Sequence, residues 1–124
     1  MERVKTHKDL DVWKKAIDFT TEIYMVTKSF PSDEKYGLVS QVRRAAISVS
    51  SNIAEGAARN SKKEFVQFLY VALASASELD TQLIISRNLG YIEKTQLEEL
   101  GAAINDISKM LFGLIRFLKK KPNY

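Results

Sequence analysis

Seven apolar residues in the last third of the chain, Leu97, Leu100, Ile104, Ile107, Leu111, Leu114 and Leu118, recur at intervals of 3, 4, 3, 4, 3 and 4. That spacing sets them on one stripe of an α-helix, whereas in a strand it would scatter them over both faces. A stripe of about six turns cannot be left in water and must lie against other helices that carry stripes of their own. Phe112 and Ile115 widen it, and Thr95-Gln96-Leu97-Glu98 reads as a capping box at its start. Lys119, Lys120 and Lys121 suit the negative end of the helix dipole, and Pro122 is the stop. The helix is expected at 96–119.

Three more segments supply the partners. In the first, expected at 9–29, Leu10, Trp13, Ile17, Thr20, Tyr24 and Thr27 form the seam, and Phe30-Pro31 ends it because proline drives the residue before it out of the helical region. Ser32 then offers an N-cap oxygen, with Asp33 and Glu34 in the first turn of a second helix expected at 33–59. Its seam is Leu38, Val42, Ala45, Val49, Ile53 and Gly56, and Asn60 is a suitable left-handed residue to close it. The third, expected at 62–88, opens on the capping box Ser61-Lys62-Lys63-Glu64 and closes at Leu89-Gly90. It is apolar nearly all round, which predicts a subunit interface through Phe65, Val66, Leu69, Tyr70 and Leu73. Short connections make these helices an all-α, antiparallel up-down-up-down four-helix bundle, one domain over 1–124, and the apolar third segment predicts that it is an oligomer.

Composition limits the chemistry. Without cysteine there is no disulfide, thiolate metal site or cysteine nucleophile, and His7 is the one histidine. No Glu-x-x-His pair exists for a bundle metal site, and the five glycines are too isolated to cradle a phosphate. No catalytic residue, metal or cofactor is therefore expected, and the chain reads as a non-enzyme. A nuclease site built from carboxylates and arginines between subunits is the alternative. The apolar run 65–85 is broken by Gln67, Ser75, Ser77, Glu78, Asp80 and Gln82, and no apolar core follows the charges of the first residues. A soluble, cytoplasmic protein with no membrane partner is the expectation.

Net charge is +4, and between Tyr36 and Lys63 five cations (Arg43, Arg44, Arg59, Lys62 and Lys63) face a single acid, Glu55, which equals the whole surplus. A basic zone of this kind attracts a polyanion; the plain alternative is a solvated helix face. A second pattern lies on the same helix. Gln41, Arg44, Ser48, Asn52, Glu55 and Arg59 share one stripe, as do Ser75, Glu78, Gln82 and Ser86 on the next segment. Short side chains such as Ser48, Asn52 and Ser75 suit hydrogen bonds across a helix contact. A packed network of Arg44, Ser48, Asn52, Glu55, Ser75 and Glu78 is expected, against the alternative of solvent exposure with Glu55 pairing to Arg59. Arg43 points about 100° away from Arg44 and is expected to be the freer cation.

Asp9-Leu10-x-Val12-Trp13, Phe30-Pro31-x-x-Glu34-x-Tyr36-Gly37-Leu38, Gln41-x-Arg43-Arg44-Ala45, Asn52-Ile53-Ala54-Glu55-Gly56 and Arg59 form a pattern in register. It continues through Phe65, Phe68-Leu69, Ala72, Ser75, Glu78-Leu79 and Thr81-Gln82. This resembles the four-helix-bundle proteins encoded in intervening sequences of bacterial 23S ribosomal RNA genes. The chain departs from them at Leu73 and Ala74, where the family has a basic residue and glycine. The resemblance implies a barrel-like homopentamer. It also implies kinship with the accessory protein of diversity-generating retroelements, which partners a reverse transcriptase and binds nucleic acid through basic residues. The resulting expectation is a non-catalytic homo-oligomeric scaffold that binds RNA or an RNA-handling protein through Arg43, Arg59, Lys62 and Lys63. The alternative is a protein–protein adaptor with no nucleic-acid role.

Overall fold

The computed structural model describes residues 7–120, which form four helices: α1 at Asp11–Thr27, α2 at Leu38–Ala57, α3 at Lys62–Asn88 and α4 at Lys94–Lys119. Single 3₁₀ turns at His7–Asp9 and Ser32–Glu34 precede α1 and α2, and no strand occurs among the described residues. Each helix packs on two others, α2 and α4 on α3 and α1 on α2 and α4. These are the contacts of a bundle. Lys121 and Pro122, expected to end the last helix, lie outside the described residues.

The helix ends follow the chemistry of their sequences with three exceptions. Ser61 Oγ accepts from the Glu64 N–H at 3.1 Å and caps α3 as its spacing predicts. At the far end Gly90 takes φ +81°, so that its N–H reaches the Arg87 carbonyl and the Tyr91 N–H the Ser86 carbonyl, both at 2.9 Å. The first exception is α2, which starts at Leu38 rather than near Asp33. Ser32 begins the 3₁₀ turn, and the helix opens only after Gly37, where Glu34 Oε1 accepts from the Leu38 N–H at 3.1 Å. A Cβ on Gly37 would meet that oxygen at 2.9 Å, so a larger residue there would displace the carboxylate from the Leu38 N–H. The second is Asn60, which is not left-handed, since α2 already closes at Ala58 in ordinary helical geometry. The third is α4, which begins at Lys94, with Gln96 Oε1 accepting from the Glu93 N–H at 2.8 Å; the Thr95–Glu98 box falls inside the helix.

In α2 and α4 the buried residues follow the expected seams, with Val42, Ala45, Val49, Ile53 and Gly56 in the one and Leu100, Ile104, Ile107, Leu111 and Leu118 in the other. α1 is rotated from its expectation. Val12, Ala16, Phe19, Ile23 and Thr27 are buried, whereas Ile17 is exposed and Leu10, Trp13, Thr20 and Tyr24 are half-buried. Part of the expected seam is a flank turned to α2, for Thr20 Oγ1 lies 3.1 Å from the Ala46 carbonyl. The stripe carrying Phe19 and Ile23 goes inward, set by how α1 packs against α2 and α4.

α3 is long and apolar enough, by length and composition, to cross a membrane. In the fold it packs along both α2 and α4 and buries Ser75, Gln82 and Ser86 together with its apolar stripe. Val66 and Leu69, expected at a subunit interface, are 1% and 0% exposed and belong to the chain's own core. They repeat in step with Ala72, Ala76, Leu79 and Leu83, the side of the helix that faces inward. Phe65 and Leu73 are half-buried, and Tyr70 alone of the five is exposed. The apolar surface of α3 that does reach solvent also includes Val71, Ile84 and Ile85.

Candidate nucleic-acid interface

Arg43 and Arg44 are neighbours in sequence with opposite fates, because successive helical side chains diverge by about 100°. Arg43 turns toward the C-terminal end of α1. Its Nε donates to Thr27 Oγ1 at 2.9 Å, its Nη2 to the Tyr24 carbonyl at 3.3 Å, and its guanidinium lies 4.4 Å from the centre of the Tyr24 ring. A cation there also meets the negative end of the α1 dipole. Arg43 is thus the most firmly held cation of the basic zone, not the freest. Arg44 is exposed, with no hydrogen-bond or ion-pair partner among the described residues.

Both arginines line an open groove of about 450 Å³ whose other walls are Tyr24, Lys35, Tyr36, Val39, Ser40 and Ile47. Three cations and two phenol rings face this space, and no carboxylate does. Tyr36 is 88% exposed, and the Lys35 ammonium sits 5.4 Å from its ring centre. The nearest acid in sequence, Glu34, is committed elsewhere, as Oε1 accepts from the Leu38 N–H and Oε2 from the Tyr91 hydroxyl at 2.8 Å. That second bond raises the Tyr91 hydroxyl above its ordinary pKa, with burial and the charges of Glu34 and Asp33 adding to the effect. The expected contacts did not include Lys35, Tyr36 or Tyr24, and Tyr24 was expected in the α1 seam. Lys35 and Tyr36 fall where a helix interior was expected, and a non-helical turn projects them instead.

The other expected cations lie elsewhere. From Arg43 to the end of α2 is about 20 Å at 1.5 Å per residue, and beyond that end come Arg59, Lys62 and Lys63. Arg59 donates to Glu55 Oε2 at 3.2 Å and rests 4.7 Å from the Phe68 ring centre. Lys62 is half-buried and Lys63 exposed. The basic segment is therefore two separate patches, because a helix draws out what sequence places together.

The polar stripe between α2 and α3 is partly as expected. Ser48 Oγ and Ser75 Oγ are 2.8 Å apart, and Asn52 Nδ2 donates to the Ser48 carbonyl at 2.7 Å and lies 3.0 Å from Ser48 Oγ. Arg44, Glu55 and Glu78 stay outside this network. Glu55 pairs with Arg59, and Arg44 and Glu78 line an open cleft of about 390 Å³ with Gln41, Ala45 and Ser48. The short side chains are packed and the long charged ones remain at the rim, where hydration costs them nothing. One turn beyond Glu78, Gln82 is buried with its Oε1 unpartnered among the described residues. Lower on the same contact, a Cβ on Gly56 would come within 2.8 Å of Phe65 Cδ1 and Phe68 Cβ, so glycine there sets how closely α2 and α3 approach.

Residues 8–113 match the family described as 23S rRNA-intervening sequence protein. The chain belongs to this family. The Glu34–Gly37 turn and the Gly56 contact are structural uses of motif residues that carry the resemblance, and the motif residue Ser75 bonds Ser48. A crystal structure of a protein of unknown function from Bacteroides thetaiotaomicron, of the S23 ribosomal protein family, has the same fold. Its TM-score is 0.78 and its identity 24%, over 85% of this chain and 95% of that one. No curated protein matches the sequence significantly.

Proposed function

We propose that this chain is a non-catalytic scaffold that assembles from five copies and binds RNA through the groove between α1 and α2. The observation that carries the reading is the groove itself, in which Lys35, Arg43 and Arg44 face one space with no acid among its walls. Phosphates are the natural complement of such a surface, and a ring repeats each modest contact once per subunit. Arg59, Lys62 and Lys63 form a second contact for a longer strand.

Assembly is supported by the exposed Tyr70, Val71, Ile84 and Ile85 on α3. A second copy laid against this face would take those side chains out of water. The up-down-up-down course is part of the same proposal. It is supported by the order of contacts, since Gly56 meets Phe65 and Phe68 while Ser48 meets Ser75, and Thr20 meets Ala46 while Thr27 meets Arg43.

The test is retention of RNA by the purified protein at low salt and its release as salt rises. Absence of affinity even at low salt gives way to the adaptor reading, and metal-dependent RNA cleavage revives the nuclease.

A further inference from the structure

We infer that the groove takes single-stranded rather than duplex RNA, with an unpaired base stacked on Tyr36. The inference rests on the RNA-binding reading and names the substrate class of the same site.

A phenol ring that is 88% exposed, in the turn that leads into α2, makes no ring contact with another aromatic among the described residues. The Lys35 ammonium lies 5.4 Å from its centre. Aromatic rings left free beside cations are what single strands use, because every unpaired base has a face to stack and a phosphate on each side. A duplex has already spent those faces on its own stacking. The remaining walls fit the same ligand. Val39 and Ile47 give the groove an apolar stretch against which a base can lie, and Arg44 is unpartnered for a phosphate. Arg43 has five N–H donors, two of them committed to Thr27 and Tyr24, so it offers the rest from a fixed position. The groove's charge, without an acid, decides for a polyanion over an apolar helix as occupant.

The experiment measures anisotropy of a labelled single strand of about ten nucleotides and of the same strand annealed to its complement. Wild type, Tyr36→Phe, Tyr36→Ala and the double variant Lys35→Ala/Arg44→Ala are compared, with the mass of each taken by light scattering. The single strand should bind about tenfold more tightly than the duplex. Tyr36→Phe should keep that preference, while Tyr36→Ala should lose about tenfold on the single strand alone. Equal or tighter duplex binding, or a Tyr36→Ala variant with unchanged single-strand affinity, overturns the inference. If the double variant still weakens both RNAs in that case, the RNA-binding reading stands without it. Absence of binding to either RNA at low salt removes both. A lower mass for Tyr36→Ala assigns the ring to a subunit contact and also overturns the inference.

Discussion

The Glu34 carboxylate ties two distant parts of the chain together, accepting from the Leu38 N–H at the start of α2 and from the Tyr91 hydroxyl in the connection to α4. Because that contact raises the Tyr91 pKa, the folded state holds the phenol proton more firmly than the unfolded chain does. The bond's contribution is therefore complete below the ordinary phenol value near 10 and is lost as pH rises through the raised folded value. Tyr91→Phe should melt below wild type near neutrality, and thermal melts repeated at strongly alkaline pH should show the gap closing. The two adjacent arginines give a second comparison. Arg43→Ala should cost about 1–2 kcal/mol in urea unfolding, because it strips a charged donor from Thr27 and the Tyr24 carbonyl. Arg44→Ala, with no partner to lose, should stay within about 0.5 kcal/mol of wild type. Sequence spacing alone shows that the two arginines diverge. It does not show which one turns to α1, because that depends on how α2 is rotated against its neighbour.

Helix existence and type were readable from the periodicity, and so was the place of Gly56 in the inward seam of α2. The rotation of α1 was not, since two apolar stripes compete on that helix and only packing against α2 and α4 chooses between them. The start of α2 was also hidden, because Ser32-Asp33-Glu34 has the composition of a helix start and serves a 3₁₀ turn instead. Two glycines test the packing directly. Gly56→Ala drives a methyl into Phe65 and Phe68 and should destabilise by about 1–3 kcal/mol. Gly113→Ala, where an added Cβ meets nothing within 4 Å, should stabilise α4 by about 0.5–1 kcal/mol. Opposite shifts of the two urea midpoints are the expected result. The buried Leu69 gives a third check at this scale, since Leu69→Ala should cost about 2–5 kcal/mol through loss of core rather than loss of assembly.

For the molecule as a whole, a third helix that is apolar on its outer side as well as its inner one favours association. Val71→Glu and Ile85→Glu place charge on exposed positions, so light scattering should show a smaller mass while circular dichroism stays helical. A wild-type mass equal to 14.1 kDa in solution would remove the scaffold reading. The site was legible only in part. Arg43 and Arg44 stood out by charge, but the space they share with Lys35, Tyr24 and Tyr36 comes from bringing α1, a turn and α2 together, which no single stretch of sequence displays. That shared space is the central claim. Its most direct test is the slope of log affinity for a single-stranded RNA against log salt concentration, measured for wild type and for Lys35→Ala/Arg44→Ala. If the groove holds the phosphates, removing two cations should lower the slope by about 0.7 for each lost contact, roughly 1.4 in all. An unchanged slope and affinity would contradict the account.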